Sequence, residues 1–461
     1  MLRDRYEPMD LFAQIPHLRM QIDPVLAQLD RLLDHDAIFQ AVKADLAQRY
    51  PRTRTDGCPS SPVEVILRML VIKHLHGWSF EDTEHFIADS LVLRQTCRVY
   101  AERVPDDTTL IRWAKLIQPA TLQTLLDHVT DLARQLKVTK GRKLRIDGTV
   151  VETHIHHPSD GTLLNDGVRV ITRVLQRVQT VSQDAVGWSD AQLRETAAAA
   201  KAGTKRIMDV ARQKGEQAAD ALKTAYRDLV QLTETVVAQA RQTVNAVTTA
   251  ADDAAQRIAR RLEALLPMVE QVIGQTTRRV LQGEAVPAPE KVVSLFEPHT
   301  AILRKGKPGK PVEFGRLIWL DEVDGGIITR YQVLDGNPDE AAQVVPSVDA
   351  HIQRFGHPPA LVAGDRGLQS AANERDLAQR KIPQVVLPKP GKKSAKRIAH
   401  ERQDWFVAGR NWRAGIEGRI SGLKRRHKLN RCRYHGDAGM QRWVGLGLLA
   451  HNLRVIARAT A

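Results

Sequence analysis

Residues 410–433, RNWRAGIEGRISGLKRRHKLNRCR, hold one carboxylate, Glu417, in a run of arginine and lysine. Arg413 stands four residues before it and Lys424 seven after it. On a helix, positions spaced by four and seven share a face, so Arg413, Glu417, Ser421 and Lys424 point one way. An acid held among fixed cations suits a site where a metal ion and a phosphodiester meet. The same spacing suits a solvated charged helix with an intrahelical ion pair, and Gly415, Gly418 and Gly422 weaken the helix itself. Two other acids bear on the choice. Asp147 sits in KLRIDGTVV, a β-rich run where an aspartate is costly unless it has a partner or a task. Asp365 ends the short apolar run PPALVAGDRG. Three carboxylates would suit phosphodiester cleavage, because two divalent ions about 4 Å apart supply both the ionised nucleophile and relief of charge on the leaving oxygen. Oxygen donors of this hardness favour Mg²⁺ or Mn²⁺ over zinc.

The elements that must position these acids follow from the pattern of the chain. Residues 1–138 read as a helical domain. The run 61–79 has helical apolar spacing, with Ser61 as cap, Pro62 in the first turn and Gly77 at the end. A second helix starts at Ser79 and a third near Pro105, Asp106 and Asp107. Short helices with tight turns allow either a helix-turn-helix DNA reader or a plain bundle. Residues 139–168 begin a second domain with the strand carrying Asp147. His154 and His156 would share one face of that strand, yet no CxxC or further histidine cluster completes a metal shell. Asp160 and Asp166 read as turn and cap residues or as the edge of an active site.

Residues 169–295 form a helical insertion. No proline occurs between Pro158 and Pro267, and apolar residues recur at three and four, which predicts long helices folded back on one another. Residues 296–461 complete the second domain. A hairpin at 299–334 turns at Asp324-Gly325-Gly326. Next come a helix at 337–356, the strand ending in Asp365, a helix at 372–382, a strand at 384–388, a basic loop and the helix with Glu417. Strand-strand-strand-helix-strand-helix-strand-helix is the order of a ribonuclease H-like α/β fold, here a mixed sheet interrupted by a helical insertion and preceded by an all-helical domain. In that order the first and fourth strands are neighbours, Asp147 lies beside Asp365, and the last helix brings in Glu417.

Composition narrows the partner. The 461 residues suffice for two or three domains, and the net charge of +15 points to a polyanion, nucleic acid before an anionic membrane surface. No window approaches the about 18 apolar residues of a spanning helix. The N-terminal residues lack the apolar core of a signal peptide. Cys58, Cys97 and Cys432 form neither a disulfide framework nor a zinc site. These features predict a cytoplasmic, nucleoid-associated protein without a membrane partner.

The chain resembles the DDE-type bacterial insertion-sequence transposases. Arg413, Glu417 and Lys424 match that family's spacing of arginine, three residues, glutamate, six residues and lysine, and Arg410 stands where the family has tyrosine. LRIDGTVV with Asp147 and LVAGDRG with Asp365 match its other two acids. THIHHPSDGTLLNDGVR, the helices of 61–113 and the closing LLAHNLRVIA are similar to family segments as well. The resemblance implies metal-dependent cleavage of DNA at the ends of an element, then attack of the freed 3′-hydroxyl on target DNA. It makes Asp147, Asp365 and Glu417 the catalytic acids and the ligands of two Mg²⁺ or Mn²⁺ ions, and puts Arg413 and Lys424 on phosphates near the scissile bond. The implied partners are double-stranded terminal inverted repeats and target DNA, and two ends held at once imply at least a homodimer. Lys389, Lys392, Lys393, Arg425 and Arg426 would add salt-sensitive, sequence-blind DNA affinity or serve as solubilising surface charge. Two other readings keep the fold and change the activity: a catalytically silent DNA-binding protein of transposase descent, and a ribonuclease H-like nuclease.

Overall fold

The structure, a computed structural model, describes residues 1–13, 22–249, 253–304, 309 and 311–461. Residues 305–308 and 310, within the β region expected at 299–334, lie outside the described residues, as do 14–21 and 250–252. The chain divides into two units, one made of residues 1–154 and 315–461 and the other of 155–314.

In the first unit seven helices come first: α1 (Pro24–Leu33), α2 (Asp36–Leu46), α3 (Val63–His76), α4 (Phe80–Asp89), α5 (Leu91–Thr96), α6 (Asp107–Ala114) and α7 (Pro119–Gln135). α3 starts after Pro62, and Ser61 does not cap it. Its first free amides find tertiary partners instead, since Val63 N–H donates to Arg3 O and Glu64 N–H to Asp4 O. A side-chain cap is therefore unnecessary. Gly77 ends the helix in the left-handed region at φ 70°, as its position predicts. Ser79 caps α4 with a reciprocal Asp82 bond, and Asp106 caps α6. Every residue of α3 from Val63 to His74 is buried, so this helix is packed in the interior of a bundle.

The sheet of this unit contains β1 (Lys143–Glu152), β3 (Glu313–Val323), β4 (Ile328–Leu334), β5 (Leu361–Ala363) and β6 (Gln384–Val386). Their spatial order is β4-β3-β1-β5-β6. β3 and β4 form an antiparallel hairpin, β1 runs antiparallel to β3, and β5 and β6 continue parallel to β1. The first and fourth expected strands are thus adjacent, with Leu144 opposite Val362. This is the ribonuclease H-like mixed sheet that the element order predicts. β3 is buried along nearly all its length because both sheet faces are covered. α12 (Val344–Phe355) covers one face, where Trp319 Nε1–H donates to Ser347 Oγ at 2.8 Å. The other face packs its Val151, Ile318, Leu320 and Ile328 against Leu423, Trp443, Val444 and Leu448 of α15 (Asp404–Arg426) and α16 (Asp437–Thr460). α13 (Ala371–Gln379) and α14 (Ala395–Glu401) complete the set. α16 also packs along α1, α3 and α7, and Leu126 of α7 belongs to the same apolar cluster as the sheet.

The second unit contains α8 (Asp160–Val181), α9 (Asp190–Val210), α10 (Glu216–Thr249), α11 (Asp253–Thr276) and a three-residue strand, β2 (Ala301–Leu303). The helices pack on one another around their own apolar core of Leu164, Val168, Leu229, Val236, Leu262 and Val269. The helical segment expected at 169–295 lies inside this unit. Among the described residues no helix is long and apolar enough to cross a membrane.

Candidate active site

Asp147 lies midway along β1, opposite Leu320 of β3. Asp365 follows β5 by two residues and opens a single 3₁₀ turn. The parallel pairing of β1 with β5 brings these two segments to the same end of the sheet. Glu417 rides on α15, which packs over β1, β5 and β6. The guanidinium of Arg413 reaches all three acids: Nη1 lies 2.7 Å from Glu417 Oε1, and Nη2 lies 3.0 Å from Asp147 Oδ2 and 3.9 Å from Asp365 Oδ1. The side chains differ in exposure, at 16% for Asp147, 57% for Asp365 and 65% for Glu417. Asp147 therefore lies at the floor of the site and the other two at its rim.

That floor position governs the charge on Asp147. Burial pushes its carboxyl up to about 6. Arg413 and the Gly148 N–H, which donates to Oδ1 at 2.9 Å, pull the other way, while Asp365 and Glu340 add to the rise. The Glu340 carboxylate rests against Gly148, where an added Cβ would push its Oε2 aside.

A second set of charges seats the helix. Arg145 is two residues before Asp147, so both side chains leave the same face of β1. It donates to the buried Glu322 of β3 through Nε at 3.0 Å and Nη2 at 2.5 Å. Its third contact, Nη1 to Trp412 O at 2.6 Å, fixes the peptide just ahead of Arg413. Arg419 Nε donates to the same Glu322 at 3.1 Å. Gly415 lets this happen, since a Cβ there would collide with Arg145 Nη1. The glycines that weaken α15 by propensity thus include one that a crossing guanidinium requires. Arg145, Glu322 and Glu340 are absent from the residues singled out by sequence. The alternation that puts Arg145 on the Asp147 face is the one signal that could have found the first.

The other expected residues are dispersed. Lys424 lies two turns beyond Glu417, near Thr149 and Val151 of β1. Lys389 donates its backbone N–H to Glu401 at 2.9 Å, and Lys393 is ion-paired with Glu401. Lys392 is exposed, as are Arg425 and Arg426 at the end of α15. In the second unit Ser159, not Asp160, caps α8. Asp160 is buried against Gln275 and Arg279, and Asp166 is bonded to Arg169 with His156 at 3.4 Å. These are structural pairs within that unit.

The donors around Arg413 are all carboxylate oxygens, the chemistry that suits a hard divalent cation. One guanidinium in reach of three acids places their oxygens round a common point. Among the described residues, no three histidine, cysteine or acid side chains lie close enough as they stand to hold an ion; the guanidinium spaces them. By donor type the residues fit such a cation, which would take over the charge that Arg413 now balances.

Two family comparisons bear on this site. Residues 14–116 match the family described as Transposase domain (DUF772), which covers α1 to α6. Residues 374–457 match the family described as Transposase DDE domain, which covers Arg413, Glu417, Lys424 and most of α16. No curated protein and no solved structure matches the chain. With transposase sequence in the N-terminal bundle and again in the helix that carries the acid of the signature, the two matches support a DDE-type insertion-sequence transposase.

Proposed function

We propose that this transposase cuts the ends of its element and joins them to target DNA at a site made by Asp147, Asp365 and Glu417. The observation that carries the reading is the shared guanidinium, which has acids from β1, from the turn after β5 and from α15 within ion-pair distance. Magnesium or manganese ions, two by analogy with other phosphodiester enzymes, would supply an ionised nucleophile and neutralise the leaving oxygen. Asp147 and Asp365 would hold them from the sheet and Glu417 from the helix. Asp147 offers its oxygens from a half-buried wall, which keeps water from screening the charge. Arg413 balances the acids in the ion-free protein and lies one turn from Glu417, in reach of a phosphate that enters the site. Lys424, on the same helix face, extends that contact along the strand. The partner is duplex DNA carrying terminal repeats, and two ends held together require at least two copies of the chain.

The test is a joining assay with paired terminal repeats, a target plasmid and Mg²⁺. Wild-type protein should produce joined product, and Asp147→Ala, Asp365→Ala and Glu417→Ala should each lower strand cleavage by about 10³-fold or more while duplex binding persists. Cleavage that survives all three substitutions would refute the site. Cutting without joining would identify a nuclease, and binding without either would identify a silent DNA-binding protein.

A further inference from the structure

The carboxyl ends of α3, α15 and α16 border one cleft of about 740 Å³, and leucines of α1 form part of its wall. Five cations line it: Arg425, Arg426, Lys428, Arg454 and Arg458. One acid, Asp23, faces them. Among the described residues none of the five has an ion pair or a side-chain hydrogen bond to an acid. Four of the five are exposed and Arg454 is half-buried, whereas the more deeply buried arginines of the same unit are held by acids. Arg68 holds Asp30, Asp34 and Glu64, Arg316 holds Asp335 and Asp437, and Arg397 holds Glu374 and Glu401. Complementing helix ends does not account for the surplus. Each carboxyl end carries roughly half a negative charge, and with Asp23 the five cations still exceed the local negative charge by about two. The guanidinium of Arg454 is held below its ordinary range by burial and then by repulsion from Arg426 and Arg458. An uncompensated cluster of this kind is stabilised by an anion from outside.

We propose that this cleft grips the sugar–phosphate backbone of duplex DNA at a point remote from the bond being cut. The inference rests on the transposase reading above and adds a second seat for DNA. Helix geometry separates the two places. Arg426 follows Glu417 by nine residues, about 13 Å along α15 and half a turn round it, so it projects away from the acids. The N-terminal bundle offers a poorer surface, because α3 is buried and α4 exposes Glu81, Asp82 and Asp89. Phosphates spaced along a duplex suit arginines spread over the ends of two helices. Apolar side chains beneath them match the less hydrated guanidinium and the sugar edges.

The experiment uses full-length protein and a fluorescent duplex carrying the terminal repeat, with affinity followed against salt. Four proteins are compared: wild type, the triple Arg426→Gln/Arg454→Gln/Arg458→Gln, its lysine counterpart, and Asp23→Asn. The glutamine triple should bind about tenfold or more weaker at 0.1 M salt, and its slope of log affinity on log salt should be shallower by about two to three. The lysine triple should keep most of that slope. Removing mutually repelling charges should leave the melting temperature unchanged or higher, which separates lost contacts from lost fold. Asp23→Asn, which can still cap α1, should bind two- to threefold tighter, a gain that misfolding cannot produce. Unchanged affinity and slope in the glutamine triple would overturn the cleft while leaving the transposase reading intact. So would a loss of heparin binding with duplex binding retained. Absence of salt-dependent duplex binding in wild type would overturn the transposase reading itself.

Discussion

Arg413 governs the charge on Asp147. Arg413 is the strongest of the influences holding the Asp147 carboxyl down against burial. Arg413→Ala should therefore move that carboxyl further above about 6, and Arg413→Lys should restore part of the difference. Carboxyl ¹³C shifts of labelled aspartate, with Asp147→Asn to assign the signal, would measure it; a midpoint that stays or falls would contradict the pairing. The sign for stability follows from the same shift. A carboxyl raised from about 3.9 when unfolded to about 6 when folded binds more protons in the folded protein across that window. Its contribution to stability is greatest below the lower value and declines as pH rises through the upper one. Asp147→Asn should thus raise the melting temperature at pH 7 to 8 and leave it nearly unchanged at pH 4. The gain is at most about 2 kcal/mol, because Arg413 loses a partner.

At the scale of one helix, α15 separates what the sequence could announce from what it could not. Three of its four glycines, Gly415, Gly418 and Gly422, look equivalent by propensity, yet they sit in different surroundings. A methyl group added to Gly418 or Gly422 would have nothing within 4 Å, whereas one added to Gly415 would collide with Arg145 Nη1. Gly418→Ala and Gly422→Ala should each stabilise by about 1 kcal/mol. Gly415→Ala should destabilise, because the extra carbon displaces a guanidinium with three hydrogen bonds around a buried carboxylate. Thermal melts of the three single variants check this, and a stabilising Gly415→Ala would refute the seating role of Arg145. The convergence of Asp147, Asp365 and Glu417 was legible because strand order and helix phase are local patterns that fix which elements are neighbours. The Arg145–Glu322–Arg419 set was not, since Glu322 meets Arg145 across the sheet and Arg419 across a packing interface. Ser61 illustrates the same limit: its expected capping bond lost to carbonyls of Arg3 and Asp4, far away in the chain. Helix phase also tied Arg413 only to Glu417, and the other two acids entered its reach through tertiary packing.

Across the whole molecule, the N-terminal bundle and the sheet of the first unit share α16, and Lys73 marks where they join. Its ammonium is buried and lies 4.5, 5.2 and 5.0 Å from the rings of Phe80, Tyr434 and Trp443. Burial, and then the charge of Arg433, lower it from 10.5 to about 7. Between those values the unfolded chain holds a proton that the folded chain has released, so this group's share of stability rises with pH from about 7 to 10.5. Lys73→Met should raise the melting temperature most at pH 6 and least near pH 10; a gain independent of pH would reject the assignment. The position of β1 has a consequence for synthesis. Both of its hydrogen-bonded neighbours, β3 and β5, are encoded after residue 312. A ribosome adding about 5–20 residues per second leaves the two edges of this apolar strand bare for roughly ten to thirty seconds. The nascent chain presents unpaired strand edges through that interval, so the yield of folded protein should rise when chaperone supply in the expressing cell is raised.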